Sequence, residues 1–138
     1  MAIGFIMWSM ASFDKQNFAI CGRTIEALRR NVIVHIPTWL EGMFEVTERR
    51  SENKMVVTIG NRSNTYYLFG GRDESSYTLI QGITLAGVLF DEVALMPRSF
   101  VEQAMARCSV SGSKFWFNCN PDGPYHWLSL IHISEPTR

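Results

Sequence analysis

One short run constrains the fold more than any other: Gly87-Val88-Leu89-Phe90, followed at once by Asp91-Glu92. Four apolar residues without polar alternation suit a strand covered on both faces, which belongs in the middle of a layered α/β sheet. The strand ends on two adjacent carboxylates. In an open α/β sheet, ligands bind outside the carboxyl ends of the strands. Successive strand residues point to opposite faces, but the twist at a strand end is expected to bring both acids to one site.

The remaining sequence supplies neighbours for this strand. Residues 1–12 are apolar on nearly every side, as in a helix packed on a sheet. Asn17–Cys21 reads as a short buried strand, and Gly22 breaks it. Thr24 is placed to cap a helix running to about Leu40, with Leu28, Val32 and Ile36 recurring every four residues and Pro37 weakening the last turn. Phe44–Glu48, Met55–Ile59 and Thr65–Phe69 are rich in β-branched and aromatic residues and are separated by turn sequences at 49–53 and 60–64. Asp73–Gln81 suits a short helix or loop. Ser99–Cys108 suits a helix opened by a capping box, with Ser99 as N-cap and Glu102 three positions on. Lys114–Asn118 is a further strand. The expected fold is α/β: a mostly parallel sheet with flanking helices and an antiparallel edge.

Composition removes several function classes. The chain has 138 residues, enough for one domain. Thirteen basic and thirteen acidic residues cancel, so contact with a polyanion requires a local patch. Three cysteines, an odd number, argue against a disulfide framework. Cys108, Cys119 and His126 do not have the spacing of a structural zinc site. His35 is expected on a polar helix face, and Trp8, Trp39, Trp116 and Trp127 are expected in the core. The longest uncharged apolar stretch, residues 1–13, falls short of the roughly 20 residues of a spanning helix, so no membrane partner is expected.

Three motifs can carry chemistry. Nucleotide hydrolysis gives two carboxylates different work. One holds Mg²⁺ through its water shell, because Mg²⁺ gives up water reluctantly. The other orients or deprotonates the attacking water. Asp91-Glu92 fits this Walker B pattern, and a solvated acidic strand end is the alternative. Phe115-Trp116-Phe117-Asn118-Cys119-Asn120-Pro121 ends a second strand in amides, which can bond a γ-phosphate or its attacking water. Asn-Pro is also an ordinary turn. Cys21-Gly22-Arg23-Thr24 lies at a strand-to-helix junction, where a glycine and a helix N-terminus can approach an anion and Arg23 can touch phosphate or nucleic acid. An exposed arginine in a turn is the alternative there.

These motifs in order, with Met96-Pro97-Arg98-Ser99-Phe100 between them, resemble the ATPase domain of the large terminase subunit of tailed bacteriophages, in its PBSX-like group. Phe18–Thr24 and Leu68–Glu74 fit further strands of that family, and the resemblance covers residues 1–128. It implies a P-loop NTPase-type motor that hydrolyses ATP with Mg²⁺ to drive double-stranded DNA into a procapsid. It also implies a homo-oligomeric ring, a terminase small subunit and a portal protein as partners, and action in the host cytoplasm. By position, Asp91 is then the Mg²⁺ carboxylate and Glu92 the catalytic one. Asn118, Asn120 and Pro121 form the motif that senses the γ-phosphate and couples hydrolysis to movement, and Arg23 contacts phosphate or DNA.

The sequence also departs from the family. No Gly-Lys-Ser/Thr phosphate loop is present: Lys15, Lys54 and Lys114 follow Asp14, Asn53 and Ser113. The helix at 1–12 would be the one that follows that loop, so the expectation is a domain truncated at its N-terminus and inactive alone. Residues 129–138 have no clear period and are expected to be a non-native tail. Two other readings compete: a noncatalytic DNA-binding or assembly module with a structural acidic pair, and a helicase-like ATPase.

Overall fold

The computed structural model describes residues 2–93 and 96–118. Helix α1 (Ala2–Ser12) leads into β1 (Asn17–Gly22), α2 (Ile25–Asn31), a 3-10 turn (Ile33–His35) and α3 (Ile36–Trp39). Strand β2 (Glu45–Arg49), a second 3-10 turn (Arg50–Glu52), β3 (Lys54–Ile59) and β4 (Arg62–Gly70) follow. Then come α4 (Glu74–Ile80), β5 (Gly87–Asp91), α5 (Arg98–Ala106) and β6 (Lys114–Asn118). The strands form one sheet in the order β2-β3-β4-β1-β5-β6. β4, β1, β5 and β6 run parallel, while β2 and β3 pair antiparallel at the other end. The expected antiparallel edge on a parallel sheet is therefore present.

Period-two alternation divides the core between the two faces of the sheet. Phe18 and Ile20 of β1, Tyr66 and Leu68 of β4 and Leu89 of β5 pack with Phe5 and Ile6 of α1, Leu28 of α2 and Ile36 of α3. Ala19, Cys21, Phe69, Val88 and Phe90 face the other way, onto Ile80 of α4 and Phe100, Val101 and Ala104 of α5. All four apolar residues of β5 are buried, which is why that stretch reads as an unbroken apolar run. Phe18 stacks on Tyr66 at 5.2 Å and meets Phe5 edge-on at 5.9 Å. Each such pair contributes about 0.5–1.5 kcal/mol beyond its area burial.

Buried polar groups fix α1 on the sheet. Asn64 is buried, accepts from the Gln16 N–H at 2.9 Å, and donates to the carbonyls of Phe13 and Ser9. Ser9 Oγ donates to the Ile6 carbonyl, so the Tyr66 hydroxyl, 2.5 Å away, is the donor in their shared bond. Burial pushes the Tyr66 phenol well above its ordinary pKa. Burial, with Cys108 adding to it, likewise raises the Cys21 thiol. Cys21 is a packing residue.

Several expectations need correction. The helix from Thr24 to Leu40 is three pieces: α2 ends at Asn31, a 3-10 turn follows, and Pro37 sits in the first turn of α3, where its missing N–H costs nothing. Leu28, Val32 and Ile36 are nevertheless buried as the spacing predicts. The capping box does not form. Pro97 occupies the N-cap position, its carbonyl accepts from Phe100 and Val101, and Glu102 instead pairs with Arg98 one turn earlier. Trp39 is 46% exposed rather than in the core, with His35 stacked on it at 5.3 Å. Trp8 and Trp116 do pack against the core. Cys119, Asn120, Pro121, His126, Trp127 and the 129–138 tail lie outside the described residues. Among the described residues, no helix is long and apolar enough to cross a membrane.

Candidate active site

The register of the parallel strands builds one functional edge. Gly22 at the end of β1 lies opposite Gly70 at the end of β4, and Cys21 lies opposite Phe90, one residue before Asp91. Asp91 pairs with Asn118, the last residue of β6. Backbone pairing alone thus sets the acidic motif beside the amide motif at the carboxyl edge. For Asn118 the backbone position is what is described; Asn120 and Pro121 lie beyond it.

Asp91 and Glu92 are consecutive, yet both line the same two cavities. The cause is local: Glu92 has φ +56°, in the left-handed region that side chains rarely adopt. This conformation costs about 1–2 kcal/mol and breaks the alternation that would send the two carboxylates to opposite faces. Such strain persists where the surroundings impose it, and functional sites are where it gathers.

The larger cavity, about 530 Å³, has Asp91 and Glu92 on one side and Ala2 and Ile3 of α1 on another. Its remaining wall includes Trp39 and Asn31. The first turn of α1 contains no acidic residue, so the electropositive end of this helix and two carboxylates line one space of nucleotide dimensions. A phosphate chain is attracted by the helix end and repelled by the acids. A divalent cation between phosphate and carboxylate reverses that repulsion. Among the described residues no three His, Cys, Asp or Glu side chains gather into a metal cage. A pair of carboxylates leaving most coordination to water and phosphate is the donor set that suits Mg²⁺.

The Gly22-Arg23-Thr24 junction works differently from the anion cradle expected of it. Thr24 Oγ1 accepts from the Ala27 N–H at 3.1 Å, and Asp73 Oδ2 accepts from the Ile25 N–H at 2.9 Å. The start of α2 is thus already occupied by a hydroxyl and a carboxylate from within the chain. Gly71 and Arg72 donate to the carbonyls of Gly22 and Arg23, fastening the two strand ends together. Gly22 is required by packing, since a Cβ there would lie 2.9 Å from Leu28 Cβ. Arg23 itself is exposed and lines the smaller cavity, about 50 Å³, with Asp91, Glu92 and Asn31. Its guanidinium forms no ion pair among the described residues.

Sequence reading missed Asn31 and Trp39 as site residues. Both sit in an apparent amphipathic helix, and only the break after Asn31 folds that segment around the acidic strand end.

No family model matches the chain, and no curated protein does. Solved structures do. The large terminase of a thermophilic bacteriophage is 54% identical with a TM-score of 0.91, covering 97% of this chain and 33% of that one. Structures of the same terminase in complex with ADP and with ATP-γ-S match at 52% and 50% identity, with TM-scores of 0.88 and 0.85. The large terminase ATPase domain of Thermus phage P74-26 shares the fold at 16% identity, with a TM-score of 0.63 over 90% of this chain and 55% of that one. This chain spans about a third of the length of the first of these relatives. By fold and by sequence, the chain belongs to the large-terminase family of bacteriophages.

Proposed function

We propose that this chain forms the water-activating side of the ATPase site in a motor that drives double-stranded DNA into a procapsid. One observation carries the reading: Asp91 and Glu92 line a cavity of about 530 Å³ together with Ala2 and Ile3 in the first turn of α1. ATP places its phosphates between them. Asp91 would hold Mg²⁺, which would supply charge neutralisation to the triphosphate. Glu92 accepts a proton from the attacking water, whose oxygen bonds the γ-phosphorus as the bond to the β-phosphate oxygen breaks. Asn118 at the end of the adjacent strand, with Asn120 and Pro121 after it in the sequence, senses the γ-phosphate, and Arg23 contacts phosphate or DNA. The relative's complexes with ADP and ATP-γ-S support nucleotide binding at this fold. The motor works in the host cytoplasm as a homo-oligomeric ring, with a small terminase subunit and a portal protein as partners.

These 138 residues contain no Gly-Lys-Ser/Thr loop, so we place turnover in an intact subunit carrying this sequence and none in the chain alone. The test is Mg-dependent ATP hydrolysis by that subunit. Glu92→Gln keeps the shape, removes the base, and is expected to lower kcat by about 10²–10⁴-fold. Undiminished turnover would mean that the acidic pair is structural, as a noncatalytic assembly module requires.

A further inference from the structure

Among the described residues, three line both cavities at the carboxyl edge: Asp91, Glu92 and Asn31. Asn31 is the last residue of α2. It is exposed and makes no side-chain hydrogen bond among the described residues. The helix stops directly after it: Val32 turns to φ −126° and ψ −60°, its N–H still bonded to the Leu28 carbonyl, and the chain swings Ile33 into the core. The length of α2 is therefore what delivers an amide to the acidic strand end.

We propose that Asn31 is a positioning residue for ATP hydrolysis, its amide orienting the Glu92 carboxylate and the water that Glu92 activates. The inference rests on the ATPase reading of Asp91 and Glu92. An ionised carboxylate only accepts hydrogen bonds, whereas an amide carries two donors and an acceptor. Asn31 can donate to Glu92 while its oxygen accepts from the same water. Other side chains fit this place less well. A lysine or arginine would hold Glu92 in an ion pair, and an aspartate would repel it. The step stays balanced without Asn31 as reactant: the water proton goes to Glu92, the water oxygen bonds phosphorus, and the electron pair of the broken bond leaves with ADP.

The experiment uses the intact large subunit carrying this sequence, with Asn31→Ala, Asn31→Asp, Glu92→Gln and the Asn31→Ala/Glu92→Gln double variant. Steady-state kcat and KM for Mg-ATP hydrolysis are measured, ADP affinity by fluorescent-nucleotide titration, and stability by thermal melting. Asn31→Ala is expected to lower kcat by about tenfold or more, at the low end of what positioned proton transfer supplies. Its KM, ADP affinity and melting temperature stay at wild-type values. In the Glu92→Gln background the same change has no further effect, because the two residues act as one unit. The charged groups lining the two cavities are Asp91, Glu92 and Arg23. Asn31→Asp adds a third carboxylate to that set, removes the amide donors, and is expected to lower kcat at least as much as Asn31→Ala.

Three results would each overturn the proposal. One is an unchanged kcat in Asn31→Ala. Another is a raised KM with weakened ADP affinity at constant kcat, which marks a phosphate contact instead. The third is a loss matched by a fall in melting temperature, or one that adds to that of Glu92→Gln. Wild-type turnover in Glu92→Gln alone would instead remove the ATPase reading, and the role of Asn31 with it.

Discussion

Gly70 offers a sharp structural test, because a single methyl group there meets backbone on two sides. A Cβ at Gly70 would lie 2.6 Å from the Ile25 nitrogen, 2.8 Å from Thr24 Cα and 2.0 Å from Asp73 Oδ2. The carboxylate can swing away, but in doing so it abandons the Ile25 N–H that it caps. The two backbone atoms cannot move without parting the end of β4 from the start of α2. Overpacking of this kind costs about 1–3 kcal/mol. The lost charge-assisted hydrogen bond adds about 1.5 kcal/mol. Gly70→Ala is therefore expected to destabilise by about 3 kcal/mol, lowering the melting temperature by about 10 °C for a domain of this size. Gly82→Ala is the matched control, since a Cβ there meets nothing within 4 Å. It is expected to be neutral, or stabilising by about 0.4–1 kcal/mol through the unfolded chain. Urea and thermal unfolding of the two variants beside the parent give the comparison. Adding Asp73→Ala to Gly70→Ala should not restore stability, because the clash with the α2 backbone remains. Equal stabilities for Gly70→Ala and Gly82→Ala would refute the tight junction between β4 and α2.

Two further expectations concern strain and titration. Glu92→Asn places a residue tolerant of positive φ at +56°, so stability is expected to rise by about 1 kcal/mol while ATP turnover in the intact subunit is lost; a destabilised variant would contradict stored strain there. Tyr66 is protonated in the fold well above the pH at which the unfolded phenol ionises, near 10. Its contribution is fully present below that pH and is lost as pH rises from it toward the higher folded value, since the unfolded state alone releases the proton. Alkaline unfolding curves should show this decline, and Tyr66→Phe should remove it while losing the bond to Ser9; an unchanged alkaline limb would contradict the buried phenol.

The parts of the fold legible in the sequence were those governed by local pattern. The run at 87–90 predicted a strand buried on both faces, and the β-branched and aromatic residues of 55–59 and 65–69 predicted the strands of the antiparallel edge. Interruptions were less legible. Leu28, Val32 and Ile36 keep helical spacing through a segment that is not one helix, because a 3-10 turn preserves which side chains face the core while changing where the backbone goes. The Ser99–Glu102 pair matched a capping box, but a proline two residues earlier, already in an extended conformation, took the cap position. For the site, Asp91 and Glu92 were legible as adjacent acids on a buried strand, and their convergence was expected from strand twist. The left-handed backbone at Glu92 is what achieves it. Gly22 looked like an anion cradle because a glycine before a helix permits one. Only the fold shows that Asp73, some fifty residues on, already occupies that helix end. Asn31 and Trp39 carried no signal, since their nearness to Asp91 depends on where a helix stops.

The most direct measurement of the central claim is a crystal structure of the intact subunit with Mg²⁺, ADP and aluminium fluoride, which mimics the phosphoryl group in transfer. The account predicts the fluoride complex in the space between the first turn of α1 and the end of β5, with Mg²⁺ reached by Asp91 through water and a water held by Glu92 in line with the leaving oxygen. A phosphate mimic bound elsewhere, with the Asp91 and Glu92 carboxylates touching neither metal nor attacking water, would contradict it.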